Sequence, residues 1–403
     1  MVDVIRDDRV QTVFQPIVDL ITGEVVAHEA LSRGPEGPLR SPAALFDEAR
    51  ATGLLAELDR ACLTSALRAA RDRFATPSTV FVNVEPEVLD FSSVVELARA
   101  TAGSSVIRVV LEVTERAVAA RPAELLSTVA RVRELGWGIA LDDVGAESAS
   151  LAFMSLLQPD VVKLDLELIQ GVPSRATAEV MHAVNAYAER SGAWVLAEGI
   201  ETEAHLTAAR AFGATLGQGW RYGRPAPDPL PTHAALELPG GGKRQPARGD
   251  ESPFQLLPPG ARVHRSPKRL LIELSKQLER EAARIGETCV LTATFQHARH
   301  FTPATKVRYA RLAEQTGFVC ALGEGLPEEP LPGVRGAHLL DDDPVLGEWD
   351  VTVLSPHFST ALLARDLGDG GPDLDRMFEY ALTYERPTVV EATRSLLARV
   401  TGL

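Results

Sequence analysis

Residues 138–143 read Gly-Ile-Ala-Leu-Asp-Asp, a short apolar run that ends in two adjacent carboxylates. If the run is a buried strand, consecutive side chains point to opposite sides of the sheet. Asp142 and Asp143 would then offer one carboxylate on each side of the strand tip, which is enough to bind two cations. A solvated strand end explains an isolated pair equally well, because short motifs produce false positives.

The same pattern recurs along the first 230 residues. Other apolar runs end in Glu29, Asn83, Glu112 and Glu198. Five short strands therefore each place a carboxylate or an amide at one end. This repetition favours a shared polar site over five unrelated soluble strand ends.

Strand and helix patterns alternate over this region. Strands are predicted near residues 11–18, 25–29, 79–84, 106–112, 138–142, 160–165 and 194–198, and helices near 47–51, 58–71, 123–135, 147–157, 174–190 and 202–212. Such alternation implies a parallel sheet, and this many units suits a closed barrel. The predicted fold class is α/β, a TIM-like β/α barrel followed by a smaller α+β domain. In such barrels the active site lies at the C-terminal ends of the strands, where the acidic residues fall.

Composition limits the partners. The chain has 41 Lys and Arg against 55 Asp and Glu, a formal charge of −14, which argues against binding to a nucleic-acid polymer. Its 3 cysteines lack the spacing of a metal site and predict no disulfide framework. The N-terminus has no apolar signal region, and no run approaches the length needed to span a membrane. We expect a cytoplasmic protein with no membrane partner.

A series of short segments occurs in a fixed order along residues 1–238. They are Gln15-Pro16-Ile17-Val18, Glu29-Ala30-Leu31-Ser32-Arg33, Val82-Asn83-Val84, Leu111-Glu112-Val113-Thr114-Glu115, Leu141-Asp142-Asp143, Val162-Lys163-Leu164-Asp165, Ala197-Glu198-Gly199-Ile200-Glu201, Gln218-Gly219 and Arg224-Pro225. In this order they resemble the EAL domain family, which hydrolyses cyclic di-GMP to the linear dinucleotide pGpG. Any one segment would be a weak match, but the ordered set is specific.

The resemblance implies a role for each matching position. It assigns metal binding to Glu29, Asn83, Glu112 and Asp142, with Asp143 serving a second cation. It assigns Lys163 and Glu198 to organising the water and the phosphate, and Glu115 to steadying the loop after the Asp pair. Four positions match ligand contacts: Gln15, Leu31, Arg33 and Gln218. The implied cofactor is a pair of Mg²⁺ or Mn²⁺ ions, which suit hard oxygen ligands and acidify a bridging water.

Individual residues also have simpler explanations. Lys163 and Asp165 alone would be a surface ion pair, and Asp59 equally suits a salt link on its helix. His28 is expected to pack, and Trp220 to lie in the core. Thr202 is expected to cap the following helix.

The loop after the Asp pair departs from the family. The family's Phe-Gly-Thr/Ala-Gly is replaced by Val144-Gly145-Ala146-Glu147, and the aromatic residues that follow are absent from residues 144–150. A glycine that needs positive φ would leave Glu147 strained. The altered loop puts the catalytic rate in question, although the metal-binding positions are complete.

Beyond Pro225 the pattern stops. Residues 239–264 form a Pro/Gly-rich linker, and residues 265–403 form a second domain. This domain is predicted to have a helix at 268–284, strands near 288–295, 318–322 and 349–354, and helices around 359–366 and 387–399. Through segments such as Thr294-Phe295-Gln296, Glu348-Trp349 and Asp375-Arg376-Met377-Phe378 it resembles the DICT sensory domain. Phe295 and Trp349 are expected in its core.

Two functions from different classes follow. The first is metal-dependent hydrolysis of cyclic di-GMP, regulated by the C-terminal sensory domain. The alternative is a catalytically degenerate cyclic di-GMP receptor that signals to an unknown partner. EAL relatives often dimerise through the barrel, so the resemblance makes a homodimer possible, although the sequence does not identify the oligomeric state.

Overall fold

The computed structural model describes residues 1–85, 107–114, 121–146, 149–239, 251–369 and 372–401. The chain divides into two units. The first comprises Met1–Ala117, Thr128–Ala146 and Gln158–Arg244, and the second comprises Val118–Ser127, Glu147–Leu157 and Gln245–Leu403. The segment that follows the Asp pair therefore groups with the C-terminal half of the chain.

Eight strands close into a barrel in the first unit, in chain order β1 to β8. They are Gln11–Asp19 (β1), Val25–Arg33 (β2), Ser78–Asn83 (β3), Ile107–Thr114 (β4), Gly138–Val144 (β5), Val161–Leu164 (β6), Trp194–Ala197 (β7) and Leu216–Gln218 (β8). Strands β2 to β8 pair in parallel, whereas β1 is antiparallel to both β2 and β8. The predicted TIM-like barrel is confirmed, with one reversed strand.

The short connection between β1 and β2 explains the reversal. The Asp19 carboxylate accepts hydrogen bonds from the backbone N–H groups of Ile21 and Thr22, both at 2.8 Å. Gly23 follows in the left-handed region at φ 76°, where a side chain would be strained. A parallel crossover needs a dozen or so residues, so this turn can only produce an antiparallel hairpin.

One apolar residue from each strand forms a buried layer inside the barrel. The layer consists of Ile17, Ala27, Phe81, Val110, Ala140, Val161, Leu196 and Leu216. Its members are fully excluded from solvent. The polar residues at the strand ends lie next to this layer, two positions away along each strand.

Helices alternate with the barrel strands along the chain. Those of the described chain up to residue 239 are Val2–Arg6 (α1), Pro42–Thr52 (α2), Leu55–Arg73 (α3), Pro122–Glu134 (α4), Ala149–Leu157 (α5), Leu166–Gln170 (α6), Arg175–Ser191 (α7) and Glu203–Ala211 (α8). Helix α7 begins with a capping box formed by Ser174 and Thr177. Thr202 caps α8, accepting a hydrogen bond from the His205 N–H, as predicted.

The C-terminal part of the chain forms a seven-stranded mixed sheet in the order β12-β11-β10-β13-β14-β15-β9. Its strands are His264–Pro267 (β9), Val290–His297 (β10), Phe318–Glu324 (β11), Val334–His338 (β12), Glu348–Leu354 (β13), Ser359–Asp366 (β14) and Met377–Thr383 (β15). Its helices are Lys268–Ile285 (α9), Pro303–Gln315 (α10) and Arg386–Leu397 (α11). The expected smaller domain of mixed α and β content is confirmed.

The helix predicted around residues 359–366 is wrong. This segment is strand β14, which pairs with β13 on one side and β15 on the other. Its residues Leu362 and Ala364 are buried in the core of the sheet unit. Ala, Leu and Arg favour helix in isolation, but two flanking strands that need hydrogen-bond partners override that preference.

The predicted linker at 239–264 has a structured end. Residues Pro253–Leu256 form a 3₁₀ helix, and the buried Ser252 donates a hydrogen bond to the Glu348 carboxylate. The Phe254 N–H donates to the other oxygen of Glu348 at 3.0 Å. Among the described residues, no helix is both long and apolar enough to cross a bilayer.

Arg394 anchors helix α5 within the second unit. Its guanidinium donates to the backbone carbonyl of Leu156 at 2.7 Å, near the helix end, where carbonyls lack partners within the helix. The side chain is 4% exposed and also pairs with Glu391 at 3.0 Å. A charged donor thus satisfies a buried acceptor.

We predict that Arg394→Met lowers the free energy of unfolding of the second unit by about 2–3 kcal/mol, the usual range for buried hydrogen bonds to a charged group. The exposed Arg284, which pairs with Glu281, provides the matched control, and Arg284→Met is expected to cost about 0.5 kcal/mol or less. Urea denaturation of both variants measures the difference. Equal losses would show that the Leu156 contact contributes nothing.

Candidate active site

A ring of polar side chains lies directly above the apolar layer of the barrel. On β2 to β8 these residues come two positions after the layer residue, and on the reversed β1 two positions before it. Because side chains alternate along a strand, a step of two keeps them on the same inner face. The ring consists of Gln15, Glu29, Asn83, Glu112, Asp142, Lys163, Glu198 and Gln218.

Lys163 lies at the centre of this ring and is 1% exposed. Its Nζ is 2.7 Å from Glu112 Oε1, 2.8 Å from Glu198 Oε1, 2.9 Å from Asp142 Oδ1 and 3.7 Å from Glu29 Oε1. Four carboxylates thus share one ammonium group. The site retains an excess of negative charge and favours the binding of further cations.

Lys163 does not form the surface ion pair with Asp165 that the local sequence suggested. Asp165 instead caps helix α6, where its carboxylate accepts a hydrogen bond from the Glu167 N–H at 2.7 Å. The two residues are neighbours in sequence but face different surroundings because Asp165 has already left the strand.

Two amides hold Glu29 in place. The Asn83 side chain donates to Glu29 Oε1 at 2.9 Å, and the Gln218 side chain donates to Oε2 at 2.7 Å. Burial opposes the charge on Glu29, but Lys163 and these two hydrogen bonds outweigh it and lower its pKa. Glu29 is therefore an ionised carboxylate at neutral pH.

In contrast to Glu29, three other charged groups of the ring have raised pKa values. Burial and the nearby charge of Glu29 raise the pKa of Glu112 well above its usual value. Burial likewise raises the pKa of Glu198, to about 7. Burial disfavours the charged form of Lys163, but the surrounding carboxylates raise its pKa well above the usual value. Lys163 therefore stays positively charged, and the carboxylates around it compete for that charge.

The Asp pair does not follow the alternation expected for a regular strand. Asp143 has φ 54°, and the pairing of β5 with β6 shifts register between Leu141 and Val144. As a result, one ligand oxygen each from Asp142, Asp143 and Glu198 lies within 4.8 Å of the others. The irregularity brings the two carboxylates together rather than to opposite sides of the strand.

Several buried oxygens in the ring accept no hydrogen bond of standard geometry from the described residues. They are both carboxylate oxygens of Glu112, Oδ1 of Asp142 and Oε1 of Gln218. Of these, Glu112 Oε1 and Asp142 Oδ1 are paired with the Lys163 ammonium, whereas Glu112 Oε2 and Gln218 Oε1 have no ion pair of this kind in the described residues. Buried polar atoms normally have a partner. A divalent cation would supply one, since carboxylate and amide oxygens are the ligands that hard cations prefer. The donor set therefore fits a metal centre.

The remaining predicted positions lie on β1 and β2 or outside the described residues. Gln15 donates from its side chain to the Gly223 carbonyl at 3.3 Å, and Arg33 donates to the Ser32 carbonyl at 2.8 Å. Leu31 lines a cavity of about 320 Å³ together with Asn83 of the ring. Glu115 and Glu147 lie outside the described residues, so their predicted roles stay predictions.

Two sequence-based expectations need correction. Asp59 makes no salt link among the described residues; its carboxylate accepts a hydrogen bond from the Glu85 N–H at 3.1 Å, and burial raises its pKa to about 7. Trp220 is not core, because it is 53% exposed with the Arg224 guanidinium 3.7 Å from its ring centroid. Its position directly after Gln218 and Gly219, at the end of β8, indicates a residue outside the core.

His28 packs as expected. Its ring is fully buried and meets the Phe74 ring at a centroid distance of 5.1 Å. Burial lowers the pKa of His28 to about 4, so its imidazole is neutral at pH 7.

An eight-stranded barrel with an acidic ring around one lysine at its strand ends defines the class: a β/α-barrel protein with a charged polar site at the strand ends. Comparison with known families assigns it further. The EAL domain profile matches residues 2–225, and the profile of the sensory domain in diguanylate cyclases and two-component systems, DICT, matches residues 251–367. The chain belongs to the EAL domain family and carries a DICT domain.

Individual relatives match the barrel region. The chain is 34% identical over 236 residues to cyclic di-GMP phosphodiesterase NbdA of Pseudomonas aeruginosa, covering 55% of this chain and 30% of the relative. It is 30% identical over 232 residues to probable cyclic di-GMP phosphodiesterase PdeB of Escherichia coli, covering 56% of this chain and 44% of the relative. The chain thus spans less than half the length of either protein.

Among solved structures, Klebsiella pneumoniae BlrP1 in a manganese and cyclic di-GMP complex aligns with a TM-score of 0.49 and 26% identity. This alignment covers 54% of this chain and 56% of that one.

Removing the central lysine should destabilise the metal-free barrel. In EDTA at pH 8, we expect Lys163→Met to lower the free energy of unfolding by about 3–5 kcal/mol, because buried carboxylates lose their only strong counter-charge within the described site. Lowering the pH to 5.5 should reduce this loss in the free energy of unfolding, since protonation of the carboxylates relieves their mutual repulsion.

Urea denaturation at the two pH values measures this effect. Lys306→Met, at an exposed position on α10, is the control and should change little. A Lys163→Met deficit no larger than that of the control would contradict the charge balance described for the ring.

Proposed function

We propose that this protein hydrolyses cyclic di-GMP to linear pGpG in a reaction that depends on divalent cations. The polar ring carries the proposal, because eight strands bring carboxylates, amides and a lysine together in one cluster. Support also comes from membership of the EAL family and from relatives named as cyclic di-GMP phosphodiesterases. The acidic ring alone would suit many metal enzymes, so the substrate rests on the relatives.

Mg²⁺ or Mn²⁺ is the proposed cofactor, as a two-metal site. In this proposal Glu29, Asn83, Glu112 and Asp142 hold the first cation and Asp143 serves the second. Support comes from Glu112 Oε2, which accepts no hydrogen bond of standard geometry from the described residues, and from the clustered oxygens of Asp142 and Asp143. When bound, such a pair of cations acidifies a bridging water and supplies a nucleophile at neutral pH.

The protein's own residues position and stabilise the reacting phosphate. Lys163 is held by carboxylates on several strands, so its positive charge is fixed before the substrate arrives. A fixed charge of this kind favours the extra negative charge that develops on the phosphate oxygens. Glu198, bound to Lys163 at 2.8 Å, keeps that ammonium oriented and is the proposed organiser of the water.

Four further side chains are proposed to contact the dinucleotide: Gln15, Leu31, Arg33 and Gln218. Arg33 offers a cation for a phosphate, since its guanidinium lies at the end of β2 four residues after Glu29. The exposed Trp220, with Arg224 on one face, offers a flat surface for a guanine base. Glu115 is proposed to steady the loop after the Asp pair.

The alternative is a cyclic di-GMP receptor without turnover. The altered loop at residues 144–150 favours it, because that loop follows directly from the Asp pair. Against it stands Asp143, whose positive φ is tolerated by Asp better than by most residues and whose carboxylate joins the cluster. The proposal therefore favours an active enzyme, regulated by the DICT domain, with a homodimer and an unidentified signalling partner.

Replacement of one metal-binding carboxylate should abolish hydrolysis. We predict that Glu29→Ala lowers the turnover of cyclic di-GMP by more than about 100-fold, since even indirect supports of a metal site cost 10–100-fold. Glu24→Ala, in the exposed turn five residues earlier, should leave turnover unchanged. Chromatographic detection of pGpG from purified full-length protein with Mn²⁺ or Mg²⁺ provides the measurement.

The same assay separates the two functions. Binding of cyclic di-GMP by the parent protein without pGpG formation at any cation concentration would establish the receptor. Near-parental turnover of Glu29→Ala in saturating Mn²⁺ would remove Glu29 from the metal site.

A further inference from the structure

A cavity of about 310 Å³ lies within the C-terminal sheet unit. Strands β10 and β13 form one wall, and helices α9 and α10 form the others. All lining residues fall between Lys268 and Leu374, so the cavity is separate from the polar ring of the barrel. Its volume is at the lower end of the range for small-molecule sites.

Three aromatic side chains give this cavity flat, apolar walls: Phe295, Tyr309 and Trp349. The rings of Phe295 and Tyr309 meet edge to face with centroids 5.4 Å apart. Phe295 and Trp349 pack against the core, as expected, but both remain partly exposed because they also face the cavity. Walls of this kind favour a planar ring, which can stack on one aromatic face and meet the edge of another.

A buried tyrosine hydroxyl at the cavity can accept a hydrogen bond. Tyr309 is completely buried, yet its hydroxyl forms no hydrogen bond of standard geometry with the described residues. Burial raises the pKa of the Glu279 carboxyl, while Arg308, which binds it, and the Tyr309 hydroxyl, which donates toward it, both act to lower that pKa. The Tyr309 oxygen can still accept a hydrogen bond, so a ligand with a donor group, such as a phenol, would complete the site.

The backbone beside the cavity is strained. Gln296 adopts φ 55° although it is not glycine, and the pairing of β10 with β11 shifts register between Thr294 and His297. Both Phe295 and Gln296 line the cavity. Strain of this kind concentrates at functional sites, where the irregular strand turns side chains toward a ligand.

The charges around the cavity favour an uncharged ligand. Lys268 is paired with Asp373 at 2.8 Å, and Lys276 with Glu273 at 2.7 Å. Arg308 is paired with Glu279. Because each of these cations already has a carboxylate partner, a phosphorylated molecule would have to break an existing pair to bind.

We propose that this cavity binds a small, neutral, planar aromatic molecule with one hydrogen-bonding group. The ring lies against Phe295 and Trp349, and its polar group pairs with the Tyr309 hydroxyl. This inference does not depend on the function proposed for the barrel. It assigns the sheet unit a ligand class different from cyclic di-GMP.

The test uses full-length protein and three probes. 2-Naphthol has the ring and the polar group, naphthalene has only the ring, and cyclohexanol has only the polar group. Saturation-transfer NMR and titration calorimetry should show binding of 2-naphthol and no comparable binding of cyclohexanol. In Tyr309→Phe, the affinity for 2-naphthol should fall about three- to tenfold, the value of one hydrogen bond, while that for naphthalene stays unchanged.

Two further variants localise the site. Tyr384→Phe alters an exposed tyrosine and should bind like the parent. Ala304→Trp, at an exposed position on the rim of the cavity, should block both aromatic probes without disturbing the core. If Tyr309→Phe does not fold, Ala304→Trp decides the question.

Three results would overturn the proposal. One is that 2-naphthol does not bind the parent protein at millimolar concentration. Another is that Ala304→Trp binds 2-naphthol as tightly as the parent does, or that a folded Tyr309→Phe does so. The third is that cyclohexanol binds as tightly as 2-naphthol, which would remove the requirement for an aromatic ring.

Discussion

The alternation of side chains along eight paired strands is the constraint on which the barrel site depends. Each strand places one apolar residue in the buried layer, and the residue two positions on, or two back on the reversed β1, then faces the same interior. Pairing between strands fixes the relative heights of these residues. Ile17 lies opposite Ala27, whereas Lys163 lies opposite the layer residue Leu196, a stagger that a closed barrel with tilted strands requires. A shift of one residue in any strand would replace a ring member with a residue facing the helices.

The ring concentrates charges that a protein interior normally excludes. Lys163 offsets part of the repulsion among the surrounding carboxylates, and the amides of Asn83 and Gln218 satisfy Glu29. The strands cannot move apart to relieve the remaining repulsion because the barrel is closed. An excess of negative charge held in a rigid site is well prepared for cations, since little reorganisation is needed when they bind.

Much of this site can be read from the sequence, because a polar residue ending an apolar run marks a strand end, and strand ends meet in a barrel. Asp143 could not be placed this way, since its positive φ arises from a register shift between β5 and β6. Strand β14 was missed because its Ala and Leu residues suit a helix, whereas its strand form depends on partners distant in sequence. The cavity beside Tyr309 could not be predicted from the sequence for the same reason, because its walls come from segments up to about a hundred residues apart.

Anomalous X-ray diffraction from crystals grown with Mn²⁺ would test most directly whether the ring is a metal centre. We expect two manganese peaks at the strand ends, one in contact with Glu29, Asn83, Glu112 and Asp142 and the other in contact with Asp143. The contradicting result is a crystal in which manganese is fully occupied only at sites away from these carboxylates. In that crystal Lys163 would still be paired with Glu29, Glu112, Asp142 and Glu198.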